Sequence, residues 1–504
     1  MLACVFLNPT DAEFSMPDFQ QAMRAPSSTT LPLVVDLDGT LTPTDTLVES
    51  VLLLAKRRPL ALCKLPFWLL RGREVMKSEI ARRVGIDPEE LPWRDDLLDW
   101  LRQERAGGRE LVLATAAHRS IAEGVAGHLQ LFDRVLATDD TRNLKGANKL
   151  AAIRAEVGPA FAYAGDSAAD LPVWEGAQAA VLVGASDSVA RSVRARHPVE
   201  REFARPAAGP AVWRKALRMH QWAKNLLLFV PLLTAFSFLP ADLATMALAF
   251  LCFSVAASST YIANDLWDLG NDRRHPRKRL RPFASGVLPV TSGVAAAVLL
   301  LGLSFALAFV VKPAFAAMLL AYVVLTTAYS WFLKERVLVD VLVLSLLYTM
   351  RIVTGSVAVG IHTSSWLLAF SLFLFLSLAL VKRCAELQLL QARGQASAHG
   401  RDYRVVDLAV LWPMGLASAL CAVVVLGLFI NAPETRERYA SPDLLWGLVA
   451  LMIYWLGRLW IKTARGEMDD DPVLYALKDR GSRAVVVAMV GVALCAYFFG
   501  LPVT

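Results

Sequence analysis

From about Asn225 onward the chain consists of long apolar runs broken by short, charge-rich loops. This feature restricts the fold more than any other. Approximate apolar cores fall at 225–239, 244–263, 291–311, 314–332, 337–359, 365–381, 407–430, 444–461 and 483–500. Runs of this length suit helices that cross a hydrocarbon layer. The pattern predicts about nine membrane spans, which would put the C-terminus outside. Before Arg218 the chain reads as an ordinary soluble α/β protein. The 56% hydrophobic and 19% charged residues of the 504-residue chain therefore average over two kinds of protein. Such a composition excludes a disordered chain and argues against a wholly soluble enzyme.

The loops alternate in charge. Residues 264–290 carry Arg273, Arg274, Arg277, Lys278, Arg279 and Arg281, and the loops at Lys334–Arg336, Lys382–Arg404 and Lys462–Arg480 are also basic. Intervening loops near 240, 312 and 362 are nearly neutral. The positive-inside rule predicts an inner (cytoplasmic) membrane protein whose basic loops and N-terminal domain face the cytoplasm. The net charge of +7 is concentrated in these loops and in a basic segment before the first span. Anionic lipid and substrate phosphates, and no nucleic acid, are the expected partners. The oligomeric state is left open. The six scattered cysteines form no CxxC or Cys/His cluster, so no disulfide framework or zinc site is expected. Residues 1–30 read as an extension without a signal peptide, and Met16 or Met23 are alternative starts.

In the soluble half, apolar runs at Leu31–Val35, Leu111–Ala114, Ala160–Ala164 and Ala179–Val183 alternate with helical patterns, one of them Lys149–Val157. That alternation predicts a parallel sheet. Three runs end in reactive residues. Asp36-Leu37-Asp38-Gly39-Thr40 follows the first, Thr115 the second, and Gly165-Asp166-Ser167-Ala168-Ala169-Asp170 the third. Two carboxylates two residues apart on a turn can serve as nucleophile and acid/base. They also supply hard oxygen ligands for Mg²⁺. The apolar stretch Pro59–Leu70, interrupted by Lys64, is too short to span a bilayer.

These motifs, with an intervening lysine, resemble those of the haloacid dehalogenase (HAD) superfamily of phosphohydrolases. The resemblance implies Asp36 as nucleophile, Asp38 as general acid/base, Thr115 and a lysine as phosphoryl contacts, and a Mg²⁺ site of Asp36, Asp38, Asp166 and Asp170. Lys149 is the first choice for the lysine and Lys145 the alternative. The implied fold is a Rossmann-like α/β HAD domain over 31–186 with a small helical cap at about 45–107. Residues 187–218 then read as a basic linker, with Val212–Trp222 as an interfacial helix.

In the apolar half, Asn264-Asp265-Leu266-Trp267-Asp268 through Asp272 places carboxylates at i, i+3 and i+7, on one face of a helix. Like charges at that spacing call for cations between them, and Mg²⁺ carrying a diphosphate is the economical choice. His275-Pro276, Lys278, Arg281-Pro282 and Ala284-Ser285-Gly286 follow at once. The sequence NDxxDxxxD then HPxKxxRPxASG resembles the UbiA superfamily of intramembrane prenyltransferases, an all-α multi-span bundle, over 219–504. Further segments make the match more similar to the decaprenyl-phosphate phosphoribosyltransferase branch. They include Lys224, Lys334, Asp340, Arg351, Lys382-Arg383, Glu386, Tyr403, Arg465-Gly466-Glu467 and Asp471-Pro472.

The resemblance implies Mg²⁺ on Asp265, Asp268 and Asp272. It implies substrate contacts from Lys224, Asn264, Lys278, Arg281, Lys334, Asp340, Arg351, Lys382, Arg383, Glu386 and Tyr403. The implied substrates are phosphoribosyl pyrophosphate and a polyprenyl phosphate, and the HAD domain would remove the 5-phosphate to give polyprenyl phosphoribose for cell-envelope glycans. The quinone-type members carry a second acidic cluster, where this chain has Asp340 alone. Two alternatives remain at this point: prenyl transfer to an aromatic or other small acceptor, and a membrane transporter.

Overall fold

The computed structural model describes residues 31–140, 142–396, 401–468 and 471–499. The expected extension at 1–30, with its start sites, lies outside them. The chain divides into two compact units, 1–206 and 207–504.

The first unit is a six-stranded, all-parallel sheet. In chain order its elements are β1 (Leu33–Val35), α1 (Thr46–Arg57), α2 (Leu65–Arg71), α3 (Arg73–Ala81), α4 (Asp95–Ala106), β2 (Leu111–His118), α5 (Arg119–Leu129), β3 (Arg134–Thr138), α6 (Ala147–Glu156), β4 (Ala162–Gly165), α7 (Leu171–Trp174), β5 (Ala179–Val183), α8 (Asp187–Arg194) and β6 (Val199–Phe203). The strand order is β3-β2-β1-β4-β5-β6. It reverses direction between β1 and β4, so a crevice opens where Asp36 and Asp166 leave their strands. The central strands are apolar throughout because helices cover both faces, and Leu33, Val34 and Val35 are fully buried.

Two expected boundaries are corrected here. Residues 187–203 are not linker: α8 buries Val189, Ala190 and Val193, and β6 pairs with β5 at the sheet edge. The cap also ends earlier than 107. Its own core is Leu54, Trp68, Ile80 and Val84. In α4, by contrast, Leu97, Leu98, Trp100 and Leu101 pack with the sheet. Asp45 caps α1 by accepting the N–H groups of Leu47 and Val48 at 2.8 and 3.2 Å.

The second unit is helical. It begins with α9 (Pro210–Ala216), a 3₁₀ stretch Met219–Phe229 and α10 (Val230–Ala235). Then come α11 (Pro240–Trp267), α12 (Leu269–Arg274), α13 (Val290–Val311), α14 (Pro313–Trp331), α15 (Val339–Val359), α16 (Ser365–Ala392), α17 (Leu408–Asn431), α18 (Pro433–Arg438), α19 (Trp446–Ala464), α20 (Pro472–Lys478) and α21 (Arg480–Phe498). Among the described residues, eight helices are long and apolar enough to cross a bilayer: α11, α13 to α17, α19 and α21. They make this unit a membrane domain. The expected first span, 225–239, is instead divided between the 3₁₀ stretch and α10, with Pro231 at the start of α10. The expected interfacial helix is likewise broken at Arg218, whose φ is 50°.

Small polar side chains stitch the bundle together. Ser259 donates to the Ala297 carbonyl at 2.7 Å, and Ser304 to that of Cys252 at 2.8 Å. Trp460 donates to Ser377 at 3.0 Å, which donates to the Gly415 carbonyl at 2.9 Å. Gly415 leaves room for the Trp460 ring, as small residues do between membrane helices.

Candidate functional site

At the switch point of the first unit, Asp36 Oδ1 accepts the Leu37 N–H at 2.8 Å. Lys149, in the first turn of α6, brings its Nζ to 2.9 Å from the same oxygen. It also donates to the Tyr163 hydroxyl at 3.0 Å, which donates onward to Asp170 Oδ1 at 2.7 Å. Asp170 Oδ2 accepts the N–H groups of Asp166 and Ser167 at 3.3 and 3.2 Å, and the Ser167 hydroxyl at 3.2 Å. Thr115 is buried and its Oγ1 accepts the Ala117 N–H at 3.0 Å. Of the two lysines considered, Lys149 is in the cluster and Lys145 is exposed.

Carboxylate oxygens of Asp36, Asp166 and Asp170 lie within 4.8 Å of one another, a spacing that a divalent cation could bridge. Asp38 is not in this set: its Oδ1 accepts the Thr46 N–H at 2.8 Å, at the start of the cap. Asp166 is the freest ligand, since no donor among the described residues reaches it. Gly39, at φ 80°, turns the chain beside it, and a methyl group there would overlap the Asp166 carboxylate.

Burial raises the carboxyls of Asp36, Asp38 and Asp166. Asp36 is pushed up to about 6 by desolvation, with Lys149 opposing. Asp38 rises to about 7 through desolvation and then Asp45. Asp166 rises to about 7 through desolvation, then Asp170 and Asp36. Desolvation acts to lower Lys149, but Asp36 and Asp170 outweigh it and hold it above the usual lysine value. Crowded acids with one buried cation are a reservoir of negative charge that Mg²⁺ would relieve.

Three residues escaped the sequence reading. Tyr163 links Lys149 to Asp170. Lys77, on α3 of the cap, donates to the Ala116 carbonyl at 2.7 Å and to Asn143 Oδ1 at 3.0 Å. Arg94 donates to the Gly39 carbonyl at 3.1 Å. Tyr163 had one signal, as the polar side chain inside an apolar strand. Lys77 and Arg94 had none.

In the membrane unit the helix carrying the first acidic motif does not run through it. Asp268 lies at the junction of α11 and α12, with φ −96° and ψ 12°. The Asp268 and Asp272 N–H groups still reach the carbonyls four residues back at 3.0 and 2.8 Å, so Asp265 and Asp272 keep one face, but the three acids do not gather as a three-carboxylate metal set. Guanidinium and ammonium groups contact each of these carboxylates. Arg281 lies 2.5 Å from Asp272 and 3.2 Å from Asp265. Arg218 pairs with Asp265, and Lys334 lies 3.1 Å from Asp268. The observation that fits a further cation is Asn264 Oδ1, buried with no hydrogen-bond partner. Lys278 is exposed in the following loop.

A second group surrounds Asp340, which is fully buried. Arg383 and the Tyr403 hydroxyl both bind it at 2.5 Å. Arg383 also pairs with Glu386, which Arg401 contacts at 2.6 Å. Tyr403 further accepts the Leu338 N–H at 2.9 Å, holding that residue at φ 64° where α15 begins. Nearby in sequence, Arg351 is buried within α15. It donates to Asn225 Oδ1 at 3.1 Å, Tyr322 Oη at 2.7 Å and the Leu347 carbonyl at 2.6 Å. No carboxylate among the described residues pairs with it. Tyr348 packs beside both Arg351 and Lys224, and Lys224 pairs with Asp471. Lys382 is half-buried without a hydrogen-bonding or ion-pair partner among the described residues.

The first unit thus gathers acids and one buried lysine at the switch point of a parallel sheet, and the second sets paired acids and cations among apolar helices. The family described as the UbiA prenyltransferase family matches residues 226–479, and that of haloacid dehalogenase-like hydrolases matches residues 33–175. The chain belongs to the UbiA prenyltransferase family and carries a HAD-like hydrolase domain ahead of it; both families are enzymes. It is 38% identical over 458 residues to uncharacterized protein y4nM of Sinorhizobium fredii, covering 90% of this chain and 88% of that one. It is 31% identical over 294 residues to decaprenyl-phosphate phosphoribosyltransferase of Mycobacterium tuberculosis, covering 57% of this chain and 94% of that one. A solved UbiA homolog from Archaeoglobus fulgidus, bound to GPP and Mg²⁺, aligns with a TM-score of 0.43 at 15% identity, covering 57% of this chain and 100% of that one.

Proposed function

We propose that the membrane unit transfers 5-phosphoribose from phosphoribosyl pyrophosphate to a polyprenyl phosphate, and that the HAD-like unit removes the 5-phosphate. The product is polyprenyl phosphoribose, a lipid-linked pentose donor for envelope glycans. The observation that carries this reading is the buried Arg351, which no carboxylate among the described residues neutralises, in a unit whose Asp340 is already bound by Arg383. A buried unneutralised guanidinium is costly unless an anion completes it. A substrate pair rich in phosphate supplies that anion. The similarity to the mycobacterial phosphoribosyltransferase supports the same reading.

In this reading Lys224, Arg281, Lys334, Arg351, Lys382 and Arg383 hold phosphate oxygens, with Lys278 at the loop entrance. Diphosphate leaves the anomeric carbon, and an oxygen of the lipid phosphate bonds to it. With Arg281 and Lys334 drawn onto the diphosphate, Asp265, Asp268 and Asp272, with Asn264 Oδ1, would be released to hold Mg²⁺, whose charge would offset that of the diphosphate. In the first unit Asp36, Asp166 and Asp170 would hold another. Asp36 then attacks the 5-phosphate while Asp38 protonates the departing sugar oxygen, a water deprotonated by Asp38 next releases inorganic phosphate from Asp36, and Lys149 and Thr115 bind the phosphoryl oxygens. The basic loops and the HAD-like unit are placed on the cytoplasmic face of the inner membrane.

The test supplies membranes containing the full chain with labelled phosphoribosyl pyrophosphate and polyprenyl phosphate, with and without Mg²⁺. Labelled lipid that depends on the cation is expected. No labelled lipid, together with prenyl transfer to an aromatic acid, would overturn the reading. Asp36→Asn should make the phosphorylated lipid accumulate.

A further inference from the structure

The cap carries a surface that the phosphatase chemistry does not use. Among the described residues of the first unit, the exposed large apolar side chains are Leu60, Phe67, Leu69 and Leu70, at 86%, 54%, 51% and 87% exposure. All four fall in one stretch, the 3₁₀ turn Pro59–Lys64 followed by α2. The 3₁₀ turn buries no residue, and α2 buries Trp68 alone. A soluble surface rarely gathers its apolar side chains this way without a partner.

The charges around them are of one sign. From Lys56 to Arg73 the chain holds Lys56, Arg57, Arg58, Lys64, Arg71 and Arg73 and no acid. All six cations are exposed. Arg71 lies over the Phe67 ring, 4.4 Å from its centroid, so charge and apolar surface share one patch. Leucine and phenylalanine beside lysine and arginine are the composition that binds an anionic bilayer surface. The apolar groups enter the acyl boundary and the cations meet the head groups. The tail of the same polypeptide is a membrane domain, so such a surface is always within the cap's surroundings.

We infer that the Pro59–Arg71 face of the cap docks on the anionic lipid surface of the membrane that holds the second unit. Docking of this kind would hold the first unit at the surface where phosphates carried on lipid lie. The inference rests on the patch and stands whatever phosphomonoester the site takes.

The experiment uses the full chain in proteoliposomes. Cys4, Cys63, Cys421 and Cys495 are replaced by Ser, and a bimane label is placed at Leu70→Cys or, as control, at the exposed Glu123→Cys on α5. Phospholipids brominated near the head group act as quenchers. Quenching at position 70 should exceed that at 123 about threefold in vesicles containing phosphatidylglycerol. It should fall to the control level when Arg57→Glu, Arg58→Glu and Arg71→Glu are combined, a change confined to exposed side chains. Equal quenching at positions 70 and 123 would overturn the inference. So would equal quenching at 70 in pure phosphatidylcholine, which would remove the anionic surface from it. Cross-linking through Leu70→Cys between two chains, without quenching, would assign the patch to a second copy and overturn it as well.

Discussion

Lys149 and Asp36 form an ion pair 2.9 Å apart at the point where the strand order reverses, and both are buried. Removing one member of such a pair leaves the other charge stranded. Lys149→Met should therefore destabilise the first unit by about 3–5 kcal/mol. Lys149→Met combined with Asp36→Asn should recover part of that loss. Asp36→Asn alone should lower phosphatase turnover by about a hundredfold or more. Thermal unfolding of the purified full chain, read as a double-mutant cycle, checks the first two expectations.

Asp36, Asp38 and Asp166 rise from 3.8 in the unfolded chain to about 6, about 7 and about 7. A raised carboxyl favours folding fully below its unfolded value, and that contribution is lost as pH climbs through the folded one. The metal-free first unit should accordingly lose stability between about pH 4 and about pH 7. Mg²⁺ competes with the same protons, so its stabilising effect should grow over that window. Unfolding midpoints measured with and without the cation at both ends would show it; a Mg²⁺ effect independent of pH would contradict the assignment.

Arg281 ties Asp265 to Asp272. Arg281→Gln should raise the KM for the phosphoribosyl donor about tenfold or more, while Lys278→Gln at the exposed loop should change it less. Steady-state transfer assays with varied donor separate the two.

Tyr403 both donates to Asp340 and accepts the Leu338 N–H. Tyr403→Phe keeps the ring but strips the Leu338 N–H of this acceptor and takes one donor from Asp340, which Arg383 still binds, at a cost of about 1–3 kcal/mol. The midpoint of detergent-solubilised protein should fall, while the phosphatase activity of the first unit stays unchanged.

At Gly355 an added methyl would overlap the Leu228 carbonyl, where α15 meets the 3₁₀ stretch. Gly355→Ala should destabilise the membrane unit by about 1–3 kcal/mol. Because Asn225 and Arg351 hydrogen-bond across this contact, transfer should suffer with stability.

Much of the first site was legible because its residues stand at the ends of apolar strands. The pattern that marks β1 and β4 also marks Asp36 and Asp166. Two strands were not legible, for opposite reasons. β6, Val-Glu-Arg-Glu-Phe, is an exposed edge whose polar alternation looks like linker. β3 opens on Arg134 and is short. Lys149 could be told from Lys145 only by burial. In the membrane unit the acidic motif was plain, but its cations were not: Arg218 lies 47 residues from Asp265, and no local period connects them. The break at Asp268 was hidden as well, since the carboxylate spacing fits an unbroken helix equally well.

The contact of Lys77 with Ala116 and Asn143 gives the cap a polarity. When α3 is seated, an ammonium group is part of the pocket roof, near enough to Asp38 and Asp45 to feel their charge, while desolvation draws its pKa down. The helix that covers the pocket also brings positive potential to it. A phosphate dianion would therefore reward closure, and a sugar stripped of its phosphate would not. Such a roof selects by charge: cover and counter-charge reach the site on one helix, so a phosphorylated sugar is met by a cation and an unphosphorylated one is not.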